Sequence, residues 1–77
     1  MLLDAKGYGY AKFVSGGRFF RWFKGTESLV SQARRQVAVS GGAPIQWHFA
    51  EEAAANATRT LLKENNITGI QVMYTPR

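Results

Sequence analysis

The sequence predicts an α/β or α+β domain built on a small mixed sheet, with elements in the order strand, strand, helix, strand, helix, strand. Three observations carry that expectation. Residues 44–49 alternate, with Ile45, Trp47 and Phe49 on one side and Gln46 and His48 on the other, the period of a strand. Leu29, Val30, Ala33 and Val37, and again Ala50, Ala54, Ala57 and Leu61, recur at the spacing of a helix face. Ile70, Val72 and Tyr74 then form a last alternating run of residues that favour strands.

Each element has local reasons. Residues 1–14 read as one bent strand or a tight hairpin, broken near Gly7 and Gly9, and Ser15-Gly16-Gly17 is a turn signal. Residues 18–24 are too dense in aromatic rings for a free loop, and the run ends at Gly25. Thr26 is the expected N-cap of a helix running to about Val39, with Glu27 in its first turn and Gly41-Gly42 as its stop. Gln32 and Gln36 lie four apart on one flank of its apolar stripe. The second helix spans residues 50–65, with Glu51-Glu52 at the end where the helix dipole favours acids and Asn65-Asn66 as its stop. The strand–helix–strand that closes the chain is long enough for a right-handed parallel crossover.

Composition bounds the function. A chain of 77 residues is a single domain that buries only about 60–65% of its unfolded surface. Its hydrophobic content of 45% and aromatic content of 13% argue against disorder. Ten basic against five acidic residues give a net charge of +5, which favours a polyanionic partner: nucleic acid, an acidic protein or an anionic lipid surface. The absence of cysteine excludes disulfides and thiolate zinc sites, and a single histidine excludes a His-rich metal centre. No apolar run approaches the ~18 residues of a membrane span, so no membrane insertion is expected. Asp4 and Lys6 interrupt the N-terminal apolar stretch, unlike a signal peptide. No internal repeat, low-complexity tract or linker is present.

Asp4-Ala5-Lys6 is the chemically richest triplet. In a strand, positions two apart project to one face roughly 6–7 Å from each other. A carboxylate there can hold a hard cation through oxygen, and the ammonium can stabilise negative charge on an attacking water or a phosphate. The competing reading is an ion pair at a sheet edge. Gln32 and Gln36 either border a cleft or are surface amides. Arg34 and Arg35 either reach a phosphate backbone or form a solvated helix face. Arg18, Arg21 and Lys24 interleave with Phe19, Phe20, Trp22 and Phe23, which suits stacking on unpaired bases or, more simply, core rings with the cations turned outward. His48 has the chemistry of a general base but reads as structural or surface, and Trp47 reads as core.

The segments Leu2-Leu3-Asp4-Ala5-Lys6-Gly7, Gln32-Ala33-Arg34-Arg35-Gln36, residues 44–50 and Gly69-Ile70-Gln71-Val72 occur in an order and spacing that resemble the PD-(D/E)xK nuclease core. More closely, they are similar to the restriction-endonuclease-fold toxin domains of bacterial polymorphic toxins and type VI secretion effectors. The resemblance implies a metal-dependent DNA endonuclease. It would be secreted as an effector into the cytoplasm of a target bacterium, and be cytoplasmic in the producer beside a cognate immunity protein. It implies Mg²⁺ or another divalent cation, with Asp4 as the second acidic metal ligand, Lys6 as the motif lysine, and Gln32 and Gln36 as the glutamines bordering the cleft.

The family core carries a further helix and strand before this point, and that strand bears the first metal-binding aspartate. Glu27, Glu51, Glu52 and Glu64 all fall on predicted helices and do not replace it. Residues 1–77 are therefore expected to be the C-terminal part of a nuclease toxin domain, inactive alone or completed by an upstream segment or a second copy. Two further readings stand beside this one. The first is a non-catalytic basic module that binds nucleic acid or an acidic immunity protein. The second is an oligomer-forming piece with an unpaired edge at its first strand.

Overall fold

Strand β4 (Ile45–Phe49) lies at the centre of a three-stranded sheet, between β1 (Leu2–Lys6) and β5 (Ile70–Tyr74), and both pairings are parallel. In this computed structural model residues 1–21 and 23–76 are described; Trp22, one of the rings of the aromatic run, lies outside them. A separate two-stranded antiparallel ribbon joins β2 (Val14–Ser15) to β3 (Arg18–Phe19). Helices α1 (Gly25–Ser40) and α2 (Glu52–Glu64) complete the chain. The order β1-β4-β5 advances in one direction. Two right-handed crossovers therefore place both helices on the same face of the sheet. The shortest extent, 15 Å, is that of two layers.

This architecture is the expected mixture of helix and small sheet, with parallel and antiparallel pairings segregated into two sheets. The core sits between the helices and β4. Ile45, Trp47 and Phe49 are 0–2% exposed and meet Leu29 and Ala33 of α1 and Ala54, Ala55 and Leu62 of α2. The other face of the sheet carries Leu3, Gln46, His48 and Gln71, and among the described residues no helix lies over it.

Several local expectations change. Residues 1–14 are neither one bent strand nor a tight hairpin, since β1 pairs with β4 alone and a 3-10 turn follows. The chain leaves the sheet after Lys6, and the backbone N–H groups of Gly9, Tyr10 and Ala11 all donate to Glu51 Oε1, at 3.0, 3.1 and 3.2 Å. A carboxylate thus takes the donors that a neighbouring strand would otherwise have accepted. A 3-10 turn over Ala11–Phe13 then leads into the ribbon. Gly16 and Gly17, with φ of 61° and 82°, form its two-residue loop, where both central residues require positive φ.

Helix α1 begins one residue before Thr26, because Lys24 is already in helical conformation. Thr26 is not the cap: its hydroxyl donates back to the Phe23 carbonyl at 3.1 Å. Gly41 ends the helix in the left-handed conformation, as its position suggested. The buried face of α2 is turned slightly from the expected one. Ala54, Ala57 and also Ala55, Thr58 and Leu62 are buried, while Leu61 is half-buried. Thr58 fits the interior because its hydroxyl donates to the Ala54 carbonyl at 2.8 Å.

Candidate active site

β1 projects Asp4 and Lys6 to the helix-bearing side of the sheet, where α1 crosses above them. Alternation places the two on one face, and the parallel register sets Asp4 beside Trp47 and Lys6 beside Phe49. Lys6 Nζ lies 3.1 Å from Asp4 Oδ2. The lysine is 8% exposed, unusual for this residue type unless paired.

The flank of α1 that carries Gln32 and Gln36 faces this pair. Gln36 Nε2 donates to Asp4 Oδ2 at 3.0 Å, and Lys6 Nζ donates to Gln32 Oε1. Trp47 Nε1 donates to Gln36 Oε1 at 2.8 Å, and the Lys6 ammonium lies 4.5 Å from the centroid of the Trp47 ring. The four residues expected to form the site, Asp4, Lys6, Gln32 and Gln36, are therefore in one hydrogen-bonded cluster. Two distant stretches of chain meet there because the β1–α1–β4 crossover folds α1 back over β1.

Donor and acceptor chemistry fixes the direction of each contact. Lysine has only donors, so the Gln32 amide turns its oxygen to Lys6 and its Nε2 away. Asp4 Oδ2 receives both Lys6 and Gln36, while Oδ1 has no hydrogen-bond partner among the described residues. With its side chain 22% exposed, Asp4 can offer that second oxygen to a ligand. Among the described residues no three His, Asp, Glu or Cys side chains come together, so a cation held at Asp4 would draw most of its ligands from water or substrate oxygens.

Four of the five cations expected to contact nucleic acid line three grooves that share residues with one another. Arg35 borders the shallow groove of Gln32, Gln36 and Val39 next to the cluster. Arg34 and Arg35 line a second groove with Thr26, Glu27, Leu61 and Asn65, between the helices. Arg18 and Arg21 lie farther along, in a groove with Phe19, Phe20, Thr60 and Glu64. Arg18 pairs there with Glu64 at 2.6 Å, and Lys24 is exposed just before α1.

The described rings of the aromatic run pack against other side chains. Phe19, Phe20 and Phe23 are half-buried, Phe23 stacks on Phe13 with centroids 4.2 Å apart, and Phe19 packs against the core. His48 is on the opposite face of the sheet from Lys6. It contacts Thr75 Oγ1 at 2.8 Å through Nδ1 and Gln46 Oε1 at 3.0 Å through Nε2.

Two residues carry more than their sequence positions suggested. Glu51 reads as a helix-dipole acid, yet its carboxylate ties down the loop that follows Lys6. Trp47 is core, as expected, but its N–H reaches the site. A buried indole needs an acceptor, a signal that could have marked Trp47 as having a polar partner.

Fold and cluster together describe a restriction-endonuclease-like domain. The family model of restriction endonuclease fold toxin 5 matches residues 1–52, a span that holds β1, α1, β4 and every member of the cluster, and the chain belongs to that family. No curated protein and no solved structure gives a significant match. Among the described residues no helix is long and apolar enough to cross a membrane.

Proposed function

We propose that this toxin domain is a nuclease that hydrolyses phosphodiester bonds of DNA with the help of a divalent cation, in competition between bacteria. The observation that carries the reading is the Asp4–Lys6 pair, held at 3.1 Å beneath two glutamines at the rim of a groove. Mg²⁺ takes oxygen ligands and is commonly held by one or two carboxylates, waters and substrate phosphates. Asp4 Oδ1 would supply one such ligand. The cation would lower the barrier by stabilising charge on the phosphate and by acidifying a bound water.

The chain's own residues have separate tasks in this proposal. Lys6 pairs with Asp4 at 3.1 Å and presents positive charge beside the reacting phosphate. Gln32 Nε2, turned away from Lys6, is a donor for a phosphate oxygen. Arg35 at the groove rim neutralises the backbone without reading sequence. An acidic immunity protein covering this groove would block the site in the producing cell, and the target cell's cytoplasm is the site of action.

A second reading is favoured by one observation. Lys6 Nζ contacts Asp4, Gln32 and the Trp47 ring within the protein. A cluster so satisfied can serve as structure alone, leaving a basic module that binds nucleic acid or an acidic partner.

Plasmid nicking separates the two. With Mg²⁺ the wild type, assayed within its complete toxin domain, should convert supercoiled plasmid, EDTA should abolish conversion, and Asp4→Asn and Lys6→Met should each lose about 10²-fold or more. Conversion by both variants at the wild-type rate would overturn the assignment of the pair. Metal-independent binding without cleavage would favour the second reading.

A further inference from the structure

We propose that Trp47 is a positioning residue for the Asp4–Lys6 pair, fixing the Gln36 amide so that its nitrogen, and not its oxygen, faces the carboxylate. The consequence for catalysis rests on the nuclease reading; the geometric part does not.

Trp47 and Asp4 are register partners on adjacent strands, so their side chains rise side by side on the helix-bearing face. Gln36 of α1 sits above both, with Oε1 2.8 Å from Trp47 Nε1 and Nε2 3.0 Å from Asp4 Oδ2. An indole N–H only donates, and an ionised carboxylate only accepts. A group linking the two must accept at one end and donate at the other, and a carboxamide does so in one orientation only. Flipping the amide would set its NH₂ against the indole N–H and its oxygen against the carboxylate. Both contacts would then be repulsive in a place with little water, since Trp47 is 0% exposed.

The same ring acts on the other partner. Its face lies under the Lys6 ammonium at 4.5 Å, which holds the amine on the side of Asp4 Oδ2. With Oδ2 occupied by Lys6 and Gln36 together, Oδ1 is the oxygen left without a hydrogen-bond partner among the described residues. Trp47 thus controls which oxygen of Asp4 is offered, without touching a ligand itself. Residues that orient a ligating carboxylate commonly change metal affinity or activity by about 10–100-fold when altered.

The test is Trp47→Phe, which keeps a ring beneath Lys6 and deletes only the N–H, compared with Gln36→Leu and with the double variant. In an active wild type, each single variant should lower kcat about tenfold with little change in KM, and the double variant should be no worse than either. Additive losses, or an unchanged kcat in Trp47→Phe, would overturn the proposal. Side-chain NMR gives an arm that needs no activity. The assigned Gln36 NH₂ resonances should shift on Asp4→Asn in the wild type and lose that response in Trp47→Phe, while the Trp47 indole proton should exchange with solvent faster in Gln36→Leu. Gln36 signals that respond identically with and without the indole N–H would sink the idea, whether or not the protein cuts DNA. Should Trp47→Phe fail to fold, the indole exchange rate in Gln36→Leu decides.

Discussion

At the scale of single residues, the molecule uses carboxylates in two unlike ways. Asp4 gathers Lys6 and Gln36 on one oxygen and leaves the other without a hydrogen-bond partner among the described residues. Glu51 instead gives one oxygen to three backbone N–H groups of the loop after β1. A loop that carries glycines and aromatic residues is thereby held against the start of α2, and Lys6 at the end of β1 inherits a defined exit path. Replacing Glu51 by Ala removes the acceptor from three donors at once. The cost should be about 1–3 kcal/mol, read from chemical denaturation. Amide exchange should accelerate at Gly9, Tyr10 and Ala11 well before the core opens. Uniform acceleration across the chain would instead mean that Glu51 contributes only to global stability.

At the scale of elements, the start of α1 depends on a close approach. The Phe23 ring lies over Gly25, where an added Cβ would run into it, and the same ring stacks on Phe13 and tilts against Phe19 at 5.3 Å. Gly25→Ala should therefore displace Phe23 and loosen the aromatic cluster, even though alanine is the better helix former. A destabilisation of about 1–3 kcal/mol is expected from forcing extra volume into a packed site. A thermal melt showing Gly25→Ala to be more stable than the wild type would mean that helix propensity outweighs the clash.

The two outer strands of the sheet are finished differently. Arg59 Nη2 donates to the Val72 carbonyl at 2.9 Å and so covers part of the open side of β5. On β1, the Leu2 N–H bonds Pro44 and the Lys6 carbonyl accepts from Ala50, so in a parallel pairing the intervening Leu3 and Ala5 present their backbone groups outward. Leu3 is also 63% exposed there.

For the whole molecule, charge would govern the affinity of the proposed nuclease for nucleic acid. A net charge of +5 would give binding that weakens steeply with salt. Position decides which cations contribute. Arg35 borders the groove beside the cluster, whereas Arg59 sits toward the far edge of the sheet, bonded to Val72 and Asn56. Arg35→Ala should reduce the slope of log affinity against log salt by about 0.9 for each phosphate that the arginine neutralises, and Arg59→Ala should leave the slope unchanged. Equal slopes for the wild type and both variants would move the nucleic-acid path away from this groove.

How much was legible in the residues varied with range. The alternation at Ile45, Trp47 and Phe49 and the spacing of Leu29 and Ala33 identify β4 and α1 because a strand and a helix each impose their own period on neighbours in the chain. Helix boundaries were less legible. Thr26 looks like a cap, but the turn at Phe23 and Lys24 already winds into the helix. The buried face of α2 was also displaced, since Thr58 could satisfy its hydroxyl on its own helix and so enter the core.

The chain alone determines that Asp4 and Lys6 share a strand face and that Gln32 and Gln36 share a helix flank, because these relations span only a few residues of regular backbone. Tertiary structure alone decides that the helix flank lies over the strand face, that the Trp47 N–H ends on Gln36, and that Glu51 gathers donors 40–42 residues away. Those contacts depend on the handedness of the crossovers and the register of the sheet. A hydrogen bond between distant residues leaves no period in the sequence from which it could be read.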